Sequence, residues 1–409
     1  MRVVADFHIH SKYSRATSKN MDVENISRWA KIKGIDIVGT GDFTHPEWLK
    51  ELKNHLKEDG EGLYIYNGVH FVLSSEISLV FAQGGKTRKV HICLISPSFN
   101  EVEKINNELR KFGDLSIDGR PTLPLSCREL VRLVKDASSD TFIFPAHAWT
   151  PWFGIFGSMT GFDSIEEAFG KETGYIHALE TGLSSDPPMN WMVSNLDKFS
   201  LVSNSDAHSP SHLGREANVF DIEFNFYEMV EAIKRKDKNK FLFTIEFFPE
   251  EGKYHYDGHR KCGVSMSPKE SKKIRNICPV CGRPMTLGVL HRVYDLSDRE
   301  EGFSSERFIP FKRLVPLQEI IAQTMEKGVA TKGVQDEYMK LIQIFETEFN
   351  VLLFTPLSEL EKRMNKKIFS AIKNMREGRV KIKPGFDGEY GKVLVEINKD
   401  EEKPPSLFG

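Results

Sequence analysis

The 409-residue chain carries 56 Lys and Arg against 58 Asp and Glu, a net charge of −2, with 40% hydrophobic and 28% charged residues. That balance is ordinary for a globular protein and leaves room for two or three domains. It excludes a chain that holds polyanions by bulk charge, so any nucleic-acid partner must meet a local patch. No apolar run reaches the ~18 residues of a membrane span. MRVVADFHIH enters a strand at once, without the apolar core of a signal peptide, so the expected compartment is the cytoplasm.

From residue 1 to about 245, strand-like and helix-like segments alternate. The strand-like runs are VVADFHIH, IDIVGTGD, FVLSSE, KVHICLI, TFIFPAH, IHALE and LVSNSDAH. The helical pattern predicts helices over Val23–Lys33, Pro46–Lys57, Asn100–Phe112, Ser126–Ala137 and Phe226–Lys236. Alternation of this kind implies an α/β fold with a mainly parallel sheet and helices outside. About seven strands are visible, one short of a (β/α)₈ barrel. Between His147 and Ile176 lies a long, aromatic, irregular insert, and TGLSSDPPMNWM follows Glu180. Long loops in compact domains are usually functional.

Residues 250–300 lose long apolar runs and gain Cys, His, Gly, Lys and Arg. Beyond Ser305 the pattern predicts helices over Leu317–Lys327, Val334–Phe349 and Leu357–Arg376. A basic, turn-rich stretch, REGRVKIKPGFDGEYGK, precedes the tail EEKPPSLFG. The expected division is a barrel over 1–248, a small zinc-binding domain over 249–303, a mainly helical, basic C-terminal domain over 304–396 and a flexible tail over 397–409.

Nine residues able to bind metal lie in or just after the strand-like runs: His8, His10, Asp42, Glu76, His91, His147, Glu180, Asp206 and His208. The C-terminal ends of strands are where β/α folds gather catalytic groups, although His91 lies near the start of its run. On a strand, residues i and i+2 share a face, so His8 and His10 point into one space. Asp206 and His208 repeat the device. Imidazole and carboxylate together suit divalent transition metals. Nine ligands exceed one tetrahedral site, and two or three divalent metals (Zn, Mn or Mg) sharing carboxylates are the expected use of them. His8, His10, Asp206 and His208 are the expected catalytic core. His45, His177 and His212 are nearby alternatives.

His259-Arg-Lys-Cys262 and Cys278-Pro-Val-Cys281 form two knuckles of x₂ spacing. Two knuckles complete a tetrahedron, and a closed four-ligand site is structural rather than catalytic. One structural Zn is expected on His259, Cys262, Cys278 and Cys281, with His255 and His291 as alternatives for the histidine. Ser267-Pro268-Lys269-Glu270 reads as a capping box that starts a helix. The surrounding Lys and Arg, including Arg260 and Lys261, offer a basic face for nucleic acid.

HIH at 8–10, TGD ending at Asp42, SSE ending at Glu76, His91, His147 and SDAH at 205–208 resemble the PHP (polymerase and histidinol phosphatase) family. The resemblance implies a distorted seven-stranded barrel, a trinuclear metal centre and phosphoester hydrolysis. One departure stands out. PHP enzymes commonly carry Asp-His after the second strand, and this chain has Asp42-Phe43, leaving Asp42 or His45 to substitute. A PHP phosphatase acting on a small phosphomonoester is the alternative reading.

The order of blocks, a PHP barrel followed by GKYHYDGHRKCGV, CPVCGRPMTLGVLHRV and KPGFDGEYGK, is similar to the endonuclease Q family. That resemblance implies a DNA repair enzyme, at work on the nucleoid. It implies cutting 5′ to uracil, hypoxanthine, xanthine and abasic sites, leaving a 3′-hydroxyl and a 5′-phosphate. Reading a deaminated base requires unstacking it against aromatic surfaces. Trp149, Trp152, Phe153 and Trp191, on loops expected near the metals, are the candidates, with Arg260 and Lys261 for the DNA backbone. Damaged DNA is the expected partner and a membrane is not. SLFG resembles part of a sliding-clamp peptide but lacks its Gln and paired aromatics, so a clamp is a secondary expectation.

Overall fold

Local signals set the helix ends. Asp22 accepts from the Asn25 N–H ahead of Val23–Lys33, and Gly34 closes that helix in the left-handed region at φ 86°. Ser126 and Glu129 form a full capping box at Cys127–Ala137. The capping box expected at Ser267 and Glu270 opens the helix Pro268–Lys273. Helices over Pro46–His55, Phe99–Leu109 and Phe226–Arg235 meet their expected places within three residues at each end.

The computed structural model describes residues 1–396, so the tail over 397–409 and its SLFG lie outside the described residues. The chain divides into two units. One comprises Met1–Arg313 with Pro384–Gly391, and the other Leu314–Lys383 with the segment from Lys392.

The first unit is mixed α/β, built on an eleven-stranded sheet. Its path runs from Phe311–Arg313 through Phe241–Glu246, Ala217–Asp221, Arg2–Asp6 and Ile37–Gly39 to Val69–Gln83. Arg2–Asp6 pairs parallel with Ile37–Gly39 but antiparallel with Ala217–Asp221. The sheet is therefore mixed, not mainly parallel. A long hairpin is the main cause. Val69–Gln83 and Lys86–Ser96 pair antiparallel from Leu73↔Ser96 to Gln83↔Lys86. Gly84 and Gly85 both take positive φ, 62° and 72°, the two-residue turn that matches strand twist. FVLSSE and KVHICLI are thus parts of one hairpin rather than successive crossover strands, and His91 faces Ser78 in mid-ladder.

Among the described residues the ladders do not close into a barrel. Ala178–Glu180 and Ser200–Val202 form a separate parallel pair. Single hydrogen bonds flank the gaps, Ala148 N to Glu180 O at 2.9 Å and His10 N to Ala207 O at 3.0 Å. The core of this unit gathers Val3, Phe7, Ile37, Val72, Phe144 and Phe220, all fully buried.

The second unit is mainly helical, with Leu317–Met325, Lys332–Phe345, Leu357–Arg363 and Lys366–Arg376, plus the hairpin Val380–Lys383 with Lys392–Val395. The helix expected over Leu357–Arg376 is two helices. Met364 is extended, at φ −133° and ψ 169°, and Asn365 caps the second helix through the Lys367 N–H. Residues 384–391, expected in the helical domain, pack with the first unit instead. Asp387 accepts from the Arg260 N–H at 2.7 Å and from Thr286 Oγ1 at 2.6 Å. Phe386 lies against Gly258, where an added Cβ would meet its ring at 2.4 Å. Among the described residues no helix is long and apolar enough to cross a membrane.

Candidate metal centre

Six of the nine expected ligands converge in two groups that share Glu76. In the first, His8 Nε2 lies 3.6 Å from both Glu76 and Asp206 carboxylates. His10 Nε2 lies 3.3 Å from Glu76 and 3.0 Å from Asp206. Four ligands at metal bonds of ~2.0–2.1 Å span tetrahedron edges of about 3.3 Å. His8 Nε2, His10 Nε2 and Asp206 Oδ1 are also buried without a hydrogen-bond partner. Buried polar atoms are rarely left so, and three aimed at one point fit a cation. In the second group Glu76 Oε1 lies 2.7 Å from His91 Nδ1 and 3.0 Å from His147 Nε2, which are 3.1 Å from one another. The residues present therefore fit divalent metals.

Asp42 and Glu180 stand behind these rings. His10 Nδ1 meets Asp42 Oδ1 at 3.1 Å, while Asp42 Oδ2 accepts from Ser11 N, Ser11 Oγ and Ser14 Oγ at 2.7–2.9 Å. His8 Nδ1 lies 3.0–3.1 Å from both Glu180 oxygens, which also accept from His147 N and Asn204 Nδ2. A carboxylate on the far nitrogen turns a histidine toward its metal and raises its basicity. His208 stands at the rim, with Nδ1 donating to the Asp206 carbonyl at 2.8 Å and its ring centred 4.5 Å from His10. His45 donates to the Ser116 carbonyl and stacks on Tyr13, so it is not a substitute ligand. His177 and His212 join neither group.

Three of these positions hold unusual backbone. Asp42, His147 and Asp206 take φ of 49°, 28° and 48°, a region that non-glycine residues enter at some cost. The turns re-aim the side chains at the mouth of the sheet. Gly119 completes the packing, since a Cβ there would lie 2.3 Å from Asp42 Oδ2.

Charge is arranged for cations. Burial would raise the Glu76 carboxyl, yet His91, His8, His10 and His147 hold it well below the usual range. Burial opposes charge on His8 and His10, but Glu180, Glu76 and Asp206 around the first and Asp42 beside the second lift both above the ordinary histidine value. Protons and metal ions therefore compete for these rings. Burial pushes His91 down to about 4, leaving it neutral and ready to ligate.

Two residues at the centre carried no sequence signal. Arg120 Nη1 lies 3.0 Å from Glu76 Oε2, on an irregular segment with no distinguishing spacing. Cys93 joins His8 and Glu180 in a third group. Its thiol, pushed up by burial, stays protonated, and Glu180 is already occupied by hydrogen bonds.

The aromatic candidates divide. Trp149 is 1% exposed and donates to Asn190 Oδ1 at 2.8 Å, so it ties two loops together from inside rather than facing a substrate. Trp152 is 48% exposed. Phe153 covers His91 with ring centres 4.3 Å apart, which places it over the second metal group. Trp191 stacks on Phe308 at 4.8 Å. The insert contains a helix the sequence reading missed, Ile165–Phe169, capped by Ser164.

His259, Cys262, Cys278 and Cys281 come together as a second candidate site. Gly282, at φ 71°, turns the second knuckle. The alternatives lie outside this group: His291 meets Asp257 at 2.6 Å, and His255 is buried with its ring stacked on Tyr256. Arg260 and Lys261 are exposed on the first knuckle. From the helix Val289–Leu296, Arg292 donates to the Phe156 and Phe162 carbonyls at 3.0 Å and to Asp163 at 2.6 Å. Arg299 donates to the Trp191 carbonyl and Asp197. The cysteine-bearing module thus holds the aromatic loops.

A mixed α/β hydrolase with a histidine–carboxylate metal centre is the class that this fold and site define. Comparison narrows it. The lesion-specific endonuclease PfuEndoQ from Pyrococcus furiosus superimposes with a TM-score of 0.87 at 33% identity, over 97% of this chain and 96% of that one. An endonuclease Q solved with a 27-mer duplex carrying an abasic lesion at its active site matches at a TM-score of 0.85 and 33% identity, over 98% of this chain and 99% of that one. The chain belongs to the endonuclease Q family, and it is a hydrolase acting on phosphodiester bonds. The family model MJ0043 C-terminal domain matches residues 316–379, in the second unit. Uncharacterized protein MJ0043 of Methanocaldococcus jannaschii is 35% identical over 263 residues, 62% of this chain, and the chain spans about a third (32%) of that protein's length.

Proposed function

We propose that this chain is a DNA repair endonuclease that cuts the phosphodiester 5′ to uracil, hypoxanthine, xanthine and abasic sites, leaving a 3′-hydroxyl and a 5′-phosphate. The observation that carries the reading is the pair of ligand groups joined by Glu76, in a chain that matches lesion-specific endonucleases over nearly its full length. The fold is read as an interrupted version of the PHP barrel, followed by a small zinc-binding domain and the helical C-terminal domain.

Divalent cations, when bound, supply electrostatic stabilisation to both attacking and leaving oxygens of an in-line displacement at phosphorus. The chain's own residues do the rest. His8, His10, Glu76, Asp206, His91 and His147 hold the cations, and Asp42 and Glu180 orient the first two rings. Ser11 and Ser14 donate to the Asp42 carboxylate and burial keeps the Cys93 thiol protonated, which favours direct hydrolysis over a Ser or Cys nucleophile. Trp152, Phe153 and Trp191 are read as surfaces against which an unstacked base rests. Arg260 and Lys261 meet backbone phosphates, and a structural zinc on His259, Cys262, Cys278 and Cys281 keeps the module folded.

The test is to incubate the protein with end-labelled duplexes holding one uracil, one hypoxanthine, one abasic site or only normal bases, with Mg²⁺, Mn²⁺ or Zn²⁺. Cuts immediately 5′ to the lesion with a ligatable 3′-hydroxyl are expected. Equal cutting of the normal duplex, or hydrolysis of histidinol phosphate with none of DNA, would refute the reading.

A further inference from the structure

We infer that Tyr390 is a platform on which an unpaired base of the DNA strand stacks, with Lys253, Arg260 and Lys261 beside it holding the adjoining phosphates. Such a platform rests on the DNA-cutting reading above and deepens it, adding a contact outside the metal centre.

Tyr390 lies in KPGFDGEYGK, a block to which the metal chemistry gives no role. Residues 384–391 are fastened to the first unit by backbone. Gly385 N donates to the Glu250 carbonyl at 2.8 Å, Gly388 N to that of Lys253 at 2.9 Å and Gly391 N to that of Glu251 at 3.0 Å, while Tyr256 N donates to Gly385 O at 2.9 Å. Phe386 and Glu389 close the turn, each N–H donating to the other's carbonyl at 2.8–3.0 Å. Gly388 turns at φ 88°. Gly385 admits no side chain, since a Cβ there would stand 2.3–2.6 Å from three backbone atoms. Phe386, at 6% exposed, supplies the packing. Tyr390, from the same loop, is 71% exposed, and its hydroxyl has no hydrogen-bond partner among the described residues. A ring set on a fixed backbone loses little freedom when it is covered, which is the character of a binding anchor.

Charge decides what covers it. Lys253 Nζ lies over the Tyr390 ring, 5.1 Å from its centre, leaving the opposite face for a base. Lys253 forms no ion pair among the described residues. Arg260 Nε lies 3.7 Å from Glu389, with 62% of its side chain open, and Nη1 stands 3.9 Å from where a Cβ on Gly388 would be. Lys261, the next residue, is exposed. Of the loop's two carboxylates, Asp387 is taken by Arg260 N and Thr286 Oγ1, and Glu389 faces Arg260. Three cations beside one open ring suit a polyanion that also carries flat apolar faces. Single strands are held in this way, with bases on aromatic rings and phosphates on basic side chains. A paired base inside a duplex has no free face, so the ring selects a base that is unpaired or unstacked. Extruding a lesion from the stack exposes such faces.

The test is the affinity of the full chain for a fluorescein-labelled oligo-dT strand of normal bases, followed by anisotropy without added divalent metal. Tyr390→Ala is expected to weaken binding about 5–150-fold, the range for loss of one base–aromatic stack, with its salt dependence and unfolding midpoint unchanged. Tyr390→Phe and Tyr390→Trp should bind as the parent does, since the ring and not the hydroxyl is used. Lys253→Gln should instead lower the slope of log affinity against log salt by about 0.7, the value for one phosphate of a single strand. A strand carrying 2-aminopurine should lose fluorescence on binding the parent and Tyr390→Phe, and keep it with Tyr390→Ala. Parent-like affinity and quenching in Tyr390→Ala would overturn the inference. So would free dAMP competing at the concentration of the strand, which would make the ligand a free nucleotide. The strand carries no lesion and is not cut, so failure of the lesion-cutting reading shows only in the cleavage assay and is told apart from failure of this one.

Discussion

Glu246, at the end of one strand of the first unit, and Glu216, just before the neighbouring strand Ala217–Asp221, form a buried carboxyl pair, both fully enclosed. Glu246 accepts from Thr244 Oγ1 and Thr181 Oγ1 at 2.5 and 2.9 Å, while Glu216 Oε2 has no partner. Burial, with Asp186 adding to it, lifts Glu246 from 4.5 to about 8, and burial beside Glu246 raises Glu216 as well. The folded chain thus keeps a proton that the unfolded chain releases near the ordinary carboxyl value. The stabilisation is complete below that value and is lost as pH rises toward about 8. At 1.36 kcal/mol per pH unit the full lift corresponds to ~5 kcal/mol. Part of the effect belongs to Glu216, so Glu246→Gln is expected to gain ~2–4 kcal/mol relative to the parent at pH 9. At pH 5 it should lie within ~1 kcal/mol of the parent, the cost of re-pairing one threonine hydroxyl. All five tryptophans lie in the first unit, so urea unfolding followed by tryptophan fluorescence reports that unit alone. Parallel stability curves for parent and variant from pH 5 to 9 would show that the pair is not protonated at neutral pH and would refute the reasoning.

Two further outcomes follow from the site. Because surrounding carboxylates hold protons on His8 and His10, Mn²⁺ affinity should fall as pH drops, beginning above the ordinary histidine value. The expected slope approaches about 100-fold per pH unit once both rings compete, and calorimetry showing no dependence between pH 6 and 8.5 would contradict it. Arg292→Ala removes the contacts to Phe156, Phe162 and Asp163, worth together ~2–4 kcal/mol after allowance for the exposed Asp163. Amide exchange across residues 150–163 should accelerate, and an unchanged exchange pattern would mean the insert is ordered without that tie.

Much of the site was legible because its signals are local. His8 and His10 are brought to one space by their spacing alone, and the knuckles at 259–262 and 278–281 bring two candidate ligands each to one turn. What separates a ligand from its supporter is not local. Asp42 and Glu180 have the same chemistry as Glu76 and Asp206, and only the fold shows that they reach the far nitrogens of His10 and His8. The irregular, aromatic loop around Trp149 suggests a substrate surface, but its indole N–H donates to Asn190 inside the unit, a pairing that no local pattern shows. The alternating pattern hides the sheet direction at Gly84-Gly85, whose two positive φ angles reverse the chain and make the pairing antiparallel. Arg120 had no pattern at all, since a single arginine acquires meaning only from what folds beside it.

The return of residues 384–391 to the first unit has a consequence for synthesis. Asp387 and Phe386, which brace the first knuckle through Arg260 and Gly258, leave the ribosome about 80 residues after Arg313. At translation rates of about 5–20 residues per second, the nascent first unit waits on the order of 4–16 s for its last brace. During that interval its cysteines stand in a half-supported turn, and a chain stopped at Arg313 would remain in that state.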